Sequence, residues 1–447
     1  MLDRRYVREN PEEVKRRLAA RGAQYPEIVD HILELDEEER SVQVGLDDLR
    51  RQRREVSKEI GGHLKAGEAE LAEEKKEFVK KVNERIEVIE ARFTTLQDQR
   101  TRLLTQLPNL PDASVPVGGE EAKQLIKEAG EPVRLPFEAS DHVELATRLN
   151  LIDFSAATRV SGSGFQFYLG LGAQLQRALI EFMLDVHISR HGYTEIRPPF
   201  MVKPEVAFGT GELPVFKQEM YHVYVPLEQF THSTAGEPDF YLVPTAESPV
   251  CNYYRGCILP PDTLPLKFVA YSPCWRVEAG HYGHEARGLR RVHQFEKVEL
   301  VVLCEPERSF DLLEQMCAEA ERIIELLGLS YRRMLLPTGD MAFQSAKTYD
   351  LEVHAAVSDE WLEVSSVSNT LDFQARRANI RFRREQGAKP EFVHLLNGSG
   401  LALPRIVVAI LENYQLENGN IAVPDALQKY FGRKYITPPE KPVPFLD

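Results

Sequence analysis

The chain has 447 residues, 43% of them hydrophobic and 28% charged, a balance that suits a globular protein with one large core and an accessory domain. A net charge of −14 excludes a protein that coats nucleic acid indiscriminately, so any RNA contact must come from local basic patches. Five cysteines with no close CxxC pair make neither a disulfide framework nor a zinc ribbon, and the lack of a signal-type opening or an apolar run of about 20 residues predicts a cytoplasmic protein, with neither membrane nor DNA among its partners.

From Ile28 to about Leu107 the apolar residues keep a three/four spacing. Ile32, Leu35, Val42, Leu46, Leu49, Val56 and Ile60 form the first series, with Glu39 and Arg53 in its two gaps. Val79, Val82, Ile86, Ile89, Phe93, Leu96, Leu103 and Leu107 form the second. So narrow a stripe is a coiled-coil seam. It breaks at Gly61, Gly62 and Gly67, which predicts an antiparallel hairpin of two helices, each roughly 50 Å long. Near the turn, Arg50, Arg51, Arg53, Arg54, Lys58 and Lys65 oppose Lys75, Lys76, Lys80, Lys81 and Arg85. Glutamates interleave with them, as on any solvated face, but an arm with a basic tip on an acidic chain also suits phosphate binding.

Pro108, Pro111 and Pro116, followed by Gly118-Gly119, end the arm. Residues 1–112 are therefore assigned to the arm, 113–160 to a linker and the start of the next domain, and 161–447 to a second domain. There, Leu175, Leu179, Phe182, Met183 and Val186 mark a helix that stops near Gly192. Strands are predicted from Tyr193 to Pro199, Tyr241 to Val243, Leu266 to Tyr271, Phe295 to Leu303 and Trp361 to Val367, with a helix from Phe310 to Leu327. The order implies an α+β domain on a mainly antiparallel sheet. Neither a Walker loop nor a GxGxxG fingerprint occurs, so the parallel-sheet nucleotide folds are not expected.

Polar groups two residues apart mark one face of that sheet. Thr245 and Glu247 in LVPTAES, Arg276 and Glu278 in PCWRVEAG, and Phe295, Lys297 and Glu299 in HQFEKVEL are the three sets. Glutamate and arginine are poor strand residues unless that face uses them. Between the last two sets, residues 279–289 read as a basic glycine-rich flap holding His281, His284 and Arg287, with Arg290 and Arg291 beside it. In WLEVSSVSN a regular strand puts Glu363 with Ser365 and Val364 with Ser366; Glu363 and a nearby serine suit a hard cation such as Mg²⁺. NGSGLALPR reads as a glycine-rich turn opening an apolar helix, with Arg405 at its start, where backbone N–H groups also favour an anion.

At these residues the sequence resembles the class II aminoacyl-tRNA synthetases, and among them the seryl-tRNA synthetases. HGYTEIRPPF resembles the first class motif, WRVEAG with RGLRRVHQFEKVEL the second and NGSGLALPR the third, while PTAES resembles the serine-binding segment. GTGELPVF and SNTLDFQARR also match seryl-type segments. The resemblance implies a class II catalytic domain, a homodimer with Pro199 at its interface, ATP and Mg²⁺ as cofactors, and L-serine and tRNASer as substrates, with tRNASec left open. It implies that Thr245, Ala246, Glu247, Arg276, Glu299 and Ser399 surround serine. It gives ATP the residues Arg276, Val277, Glu278, Val292, Phe295, Glu363, Val364, Ser365, Ser366 and Arg405, with Glu363 and Ser366 on Mg²⁺ and Arg276, Glu278 and Arg405 as the catalytic set. Arg50, Arg51, Arg54, Lys58, Lys75, Lys76 and Lys80 are the implied tRNA contacts. Two other readings are a ligase that loads a carrier protein and a catalytically dead RNA-binding relative.

Overall fold

The computed structural model describes residues 1–226, 237–278 and 288–446. It divides into two compact units, Leu2–Pro108 and the chain from Asn109 onward.

In the first unit, short helices Arg4–Glu9 and Pro11–Ala19 precede a 42-residue helix, Tyr25–Ala66, and its 38-residue return, Ala69–Gln106. The outgoing helix is roughly 60 Å long. Leu46 and Leu49 pack against Val82 and Ile86 of the return, and Val29, Ile32, Leu96 and Leu104 are buried as well. The charged residue in the first gap of the seam is buried too. Glu39 is 5% exposed and pairs with Arg100, 6% exposed, and with Arg4 at 3.3 Å. The predicted break lies further out than Gly61-Gly62: the helix runs through both glycines, where an added Cβ would meet nothing within 4 Å. Two mid-helix glycines cost about 1 kcal/mol each, an amount a long paired helix can absorb. Gly67, at φ +77°, makes the turn, and Glu68 N–H returns to the His63 carbonyl at 3.0 Å in the manner of a Schellman cap.

The second unit is built on eight strands, in chain order β1 (Gln124–Ala129), β2 (Thr194–Glu195), β3 (Leu266–Trp275), β4 (Gln294–Cys304), β5 (Tyr331–Leu335), β6 (Lys347–Ala355), β7 (Glu360–Leu371) and β8 (His394–Ala402). Their order across the sheet is β1-β5-β6-β7-β8-β4-β3-β2, antiparallel except for β2 on β3. β1 is thus already part of this sheet, at its edge, and only two residues of the predicted Tyr193–Pro199 strand pair. Helices Gly170–His191, Ser309–Leu326 and Leu403–Asn413 cover one face, where Val298, Leu300 and Val302 of β4 join the main core with Leu351 and Val353 of β6. Gly192, left-handed at φ +73°, stops the first of these helices where the sequence places the stop.

Three local expectations give way. Thr245 and Glu247 do not share a strand: the strand ends at Leu242, and Glu247 opens the short helix Glu247–Cys251. Arg276 and Glu278 lie beyond the end of β3, and Glu278 is left-handed at φ +49°. NGSG is strand rather than turn, because β8 runs through it into the helix that begins at Leu403. Glycine is needed there for packing: a Cβ on Gly400 would stand 3.1 Å from the His187 ring and 3.2 Å from Val298.

Candidate active site

The opposite sheet face packs in part against helices Glu247–Cys251 and Phe373–Ala378, and beside them it opens into a cavity of about 590 Å³ lined from β4, β6, β7, β8 and the connections around them. β4 supplies Phe295, Lys297 and Glu299 in the alternation its sequence predicts. Glu299 lies opposite Ser399 on β8 and Ala270 on β3. It is 2% exposed, accepts from Thr245 Oγ1 at 2.9 Å and pairs with Lys297, whose Nζ also donates to Thr245 Oγ1 at 2.7 Å. A carboxylate this deep needs such partners.

Glu247, at the start of its short helix, accepts at Oε1 from three amides: Gln374 at 2.6 Å, Asn397 at 3.0 Å and Gln344 at 3.3 Å. Burial first, then the charges of Glu212 and Glu299, push its carboxyl up to about 8.

At the far end of β4, the Arg276 guanidinium stands 5.2 Å from the Phe295 ring centre, and its Nε donates to the Pro244 carbonyl at 3.3 Å. Arg291 lies 3.4 Å from the Glu278 carboxylate. Arg405 projects from the first turn of its helix; it donates to the Glu363 carbonyl at 2.7 Å and the Arg290 carbonyl at 3.3 Å, with the Glu363 carboxylate 3.4 Å away. Its helix grips the same limb a second time. Glu412, fully buried, holds His142 Nδ1 at 3.0 Å, and His142 Nε2 accepts the Leu289 N–H at 3.4 Å.

A bulge decides which β7 side chains reach the cavity. Leu351 faces Ser365 and Glu352 faces Glu363, so Val364 is an extra residue. The phase of the strand changes there. Glu363 and Ser366 both line the cavity, with Asp350 of β6 directly across from Ser366, whereas Ser365 is buried and donates to the Ser399 carbonyl at 2.5 Å. The regular-strand pairing of Glu363 with Ser365 is therefore replaced by Glu363 with Ser366. Burial, then the charge of Glu363, holds the Asp350 carboxyl well above the usual range.

Of the residues singled out from the sequence, Glu247, Arg276, Glu278, Val292, Phe295, Glu299, Glu363, Val364, Ser366, Ser399 and Arg405 line this one cavity. Thr245 stands behind Glu299, Ala246 is fully buried, and Val277 gives its N–H to the Glu219 carbonyl. The flap residues His281, His284 and Arg287 lie outside the described residues. Lys297, Asp350 and Asn397, to which the sequence pattern assigns no role, line the cavity as well. Lys297 was legible in the β4 alternation; Asp350 alternates with buried Tyr349 and Leu351 in the same way.

On the arm, Arg50 pairs with Glu90 at 2.8 Å, Arg51 with Asp48 at 2.7 Å, Lys75 with Glu59 at 2.7 Å and Lys76 with Glu73 at 2.9 Å. Arg54, Lys58 and Lys80 are exposed and form no ion pair among the described residues.

An antiparallel sheet carrying an arginine and an aromatic ring at one end of a strand, buried carboxyls at the other and a second arginine on the helix that follows β8 defines a class II aminoacyl-tRNA synthetase core. Residues 230–414 match the tRNA synthetase class II core domain (G, H, P, S and T), and residues 1–111 match the seryl-tRNA synthetase N-terminal domain. The serine–tRNA ligase of Salinibacter ruber is 46% identical over 97% of this chain and 98% of its own length; that of Dehalococcoides mccartyi is 45% identical over 97% and 99%. The crystal structure of seryl-tRNA synthetase from Pyrococcus horikoshii complexed with ATP superposes with a TM-score of 0.90 at 36% identity, covering 98% of this chain and all of that one. The chain belongs to the seryl-tRNA synthetases, the serine–tRNA ligases.

Proposed function

We propose that the cavity joins L-serine to ATP and passes the serine to the 3′ end of tRNASer. The observation that carries this reading is the length of β4: Phe295 and Glu299, four residues or roughly 13 Å apart on one face, match the adenine and amino-acid ends of an adenylate. Thr245, Glu247, Glu299 and Ser399 surround serine, with its hydroxyl at Glu299 and Ser399. Arg276 bridges the serine carboxylate and the α-phosphate, Glu278 takes the adenine amine, and Phe295 and Arg405 sandwich the base. The serine carboxylate attacks the α-phosphate in line and pyrophosphate leaves; a ribose hydroxyl of the terminal adenosine then attacks the adenylate carbonyl and AMP leaves. The residues position the reactants and stabilise charge, and none of them needs to move a proton in the first step.

Mg²⁺ fits beside Glu363 and Ser366. The neighbouring Asp350 carboxyl is buried, and its Oδ1 has no hydrogen-bond partner, an oxygen-rich setting of the kind this hard cation takes. When bound, the ion would offset phosphate charge. The arm, through Arg50, Arg51, Arg54, Lys58, Lys75, Lys76 and Lys80, holds tRNASer; tRNASec, which shares the same acceptor chemistry, is a further candidate. A homodimer about Pro199 and a cytoplasmic location complete the reading, and among the described residues no helix is long and apolar enough to cross a membrane. The arm speaks against a carrier-protein ligase, and the full set Arg276, Glu278, Glu299, Glu363 and Arg405 against a dead relative. Pyrophosphate exchange with each amino acid in turn tests the proposal: serine alone should support it, and exchange with another amino acid but not serine would overturn it.

A further inference from the structure

Two segments have no role in this reading, GTGELPVF (209–216) and SNTLDFQARR (368–377). They are tied together behind the amino-acid end of the cavity. Gln374 donates to the Thr210 carbonyl at 3.0 Å and to Glu247 at 2.6 Å, and Arg377 donates to the carbonyls of Phe208 and Leu213 at 3.2 and 3.0 Å. Glu212, partly buried, accepts from the hydroxyls of Thr210 and Ser248, the second at 2.5 Å. Ser248 is the residue next to Glu247.

Glu247 is 7% exposed and lines the cavity, yet among the described residues every hydrogen bond it accepts falls on Oε1 and no donor engages Oε2. The titratable and charged groups around it are Glu212, Glu299, Lys297, Arg377 and the Cys251 thiol. Lys297 is committed to Glu299 and Thr245, and Arg377 to two carbonyls. Burial above all, with carboxylates nearby, pushes the Cys251 thiol up, so it stays neutral. Three carboxyls thus face two cations: Glu299 has the Lys297 ammonium, Glu212 has two hydroxyl donors, and Glu247, open to the cavity at Oε2, has three amide donors and no ion pair among the described residues.

We propose that Glu247 carries a proton in the free protein, that the α-ammonium of the bound amino acid displaces it to solvent, and that Glu212 is a positioning residue setting how firmly it is held. The inference rests on serine occupying this end of the cavity. Because ammonium and proton compete for one carboxylate, serine affinity falls as pH drops below the Glu247 transition near 8, by about tenfold per pH unit. Burial raises the Glu212 carboxyl too, while the Ser248 and Thr210 hydroxyls pull it back down; Glu212 acts by the charge these hydroxyls help it keep and through Ser248.

The test is calorimetric titration of L-serine into the full-length protein at pH 7 in two buffers of different ionisation enthalpy. Most of one proton should be released per serine, and Glu212→Gln, which keeps one side-chain oxygen for its hydroxyl partners, should release less than half as much. Zero release from the unaltered protein, or undiminished release from a Glu212→Gln variant that still binds ATP, overturns the proposal. The unaltered protein supplies a second measurement, since its KM for serine should rise about tenfold from pH 7 to pH 6; a flat profile also overturns the proposal. Failure of serine to support pyrophosphate exchange would instead sink the assignment of the cavity.

Discussion

Glu299 and Lys297 form a buried ion pair, so the choice of substitution matters. Truncating Glu299 to alanine would leave the Lys297 ammonium uncompensated at a cost of about 3–5 kcal/mol, and lost folding would mask lost specificity. Glu299→Gln keeps the shape and removes the charge. It should lower serine-dependent pyrophosphate exchange by at least about a hundredfold, the weight of a charged hydrogen bond lost in a buried site, while ATP binding measured by equilibrium dialysis changes little. Near-normal exchange would show that Glu299 does not read the hydroxyl. Arg405 makes forked contacts with the carbonyls of Glu363 and Arg290 in the free protein, and lysine has no fork. Arg405→Lys should fold with an unchanged circular dichroism spectrum and lose activation by orders of magnitude; retained activity would misplace the third motif.

At the level of elements, the helix Leu403–Asn413 holds the chain around Leu289–Arg290 from both of its ends, by Arg405 and by Glu412 through His142. Removing the imidazole with His142→Ala leaves the Leu289 N–H without its acceptor, a cost of about 1–3 kcal/mol, and loosens Arg290 and Arg291. KM for ATP should rise about tenfold with KM for serine little changed; an equal rise in both would mean the whole cavity had moved. Elements were legible from sequence where side-chain period alone decided them: β4 alternates Phe295, Lys297 and Glu299 against Val298 and Leu300, and the arm seam is visible from Ile32 to Leu96. What was not legible depended on neighbours. Val364 bulges through its pairing with β6, and no property of WLEVSS itself announces that. The helix survives Gly61-Gly62 because its partner helix lies alongside, and NGSG is strand because β4 and β7 pair with it on either side, with Gly400 packed close against His187 and Val298. Most of the residues the sequence singles out line one cavity, while Thr245 and Glu247 lie in a turn and a helix start instead of the expected strand, since such elements can also bring two residues to one place.

For the whole molecule, the division at Pro108 separates a unit with its own seam from a unit with its own sheet. Replacing Leu35–Leu103 by a short flexible linker should leave pyrophosphate exchange nearly unchanged and lower tRNA charging steeply. If exchange collapses too, the arm supports the catalytic fold; if charging survives, the arm is structural only. Reversing Arg51, Arg54, Lys76 and Lys80 should weaken tRNA binding more mildly and flatten its salt dependence, because fewer counterions are released. Between residues 50 and 85 there are eleven lysines and arginines against eight carboxylates, in a chain whose net charge is −14, and Arg54, Lys58 and Lys80 form no ion pair among the described residues. The protein is thus electrically two-sided, and its isoelectric point of about 5.5 describes neither side. On an anion exchanger at neutral pH it should be retained by its bulk, and on a sulfated-polysaccharide column it should be retained as well, by the end of its arm.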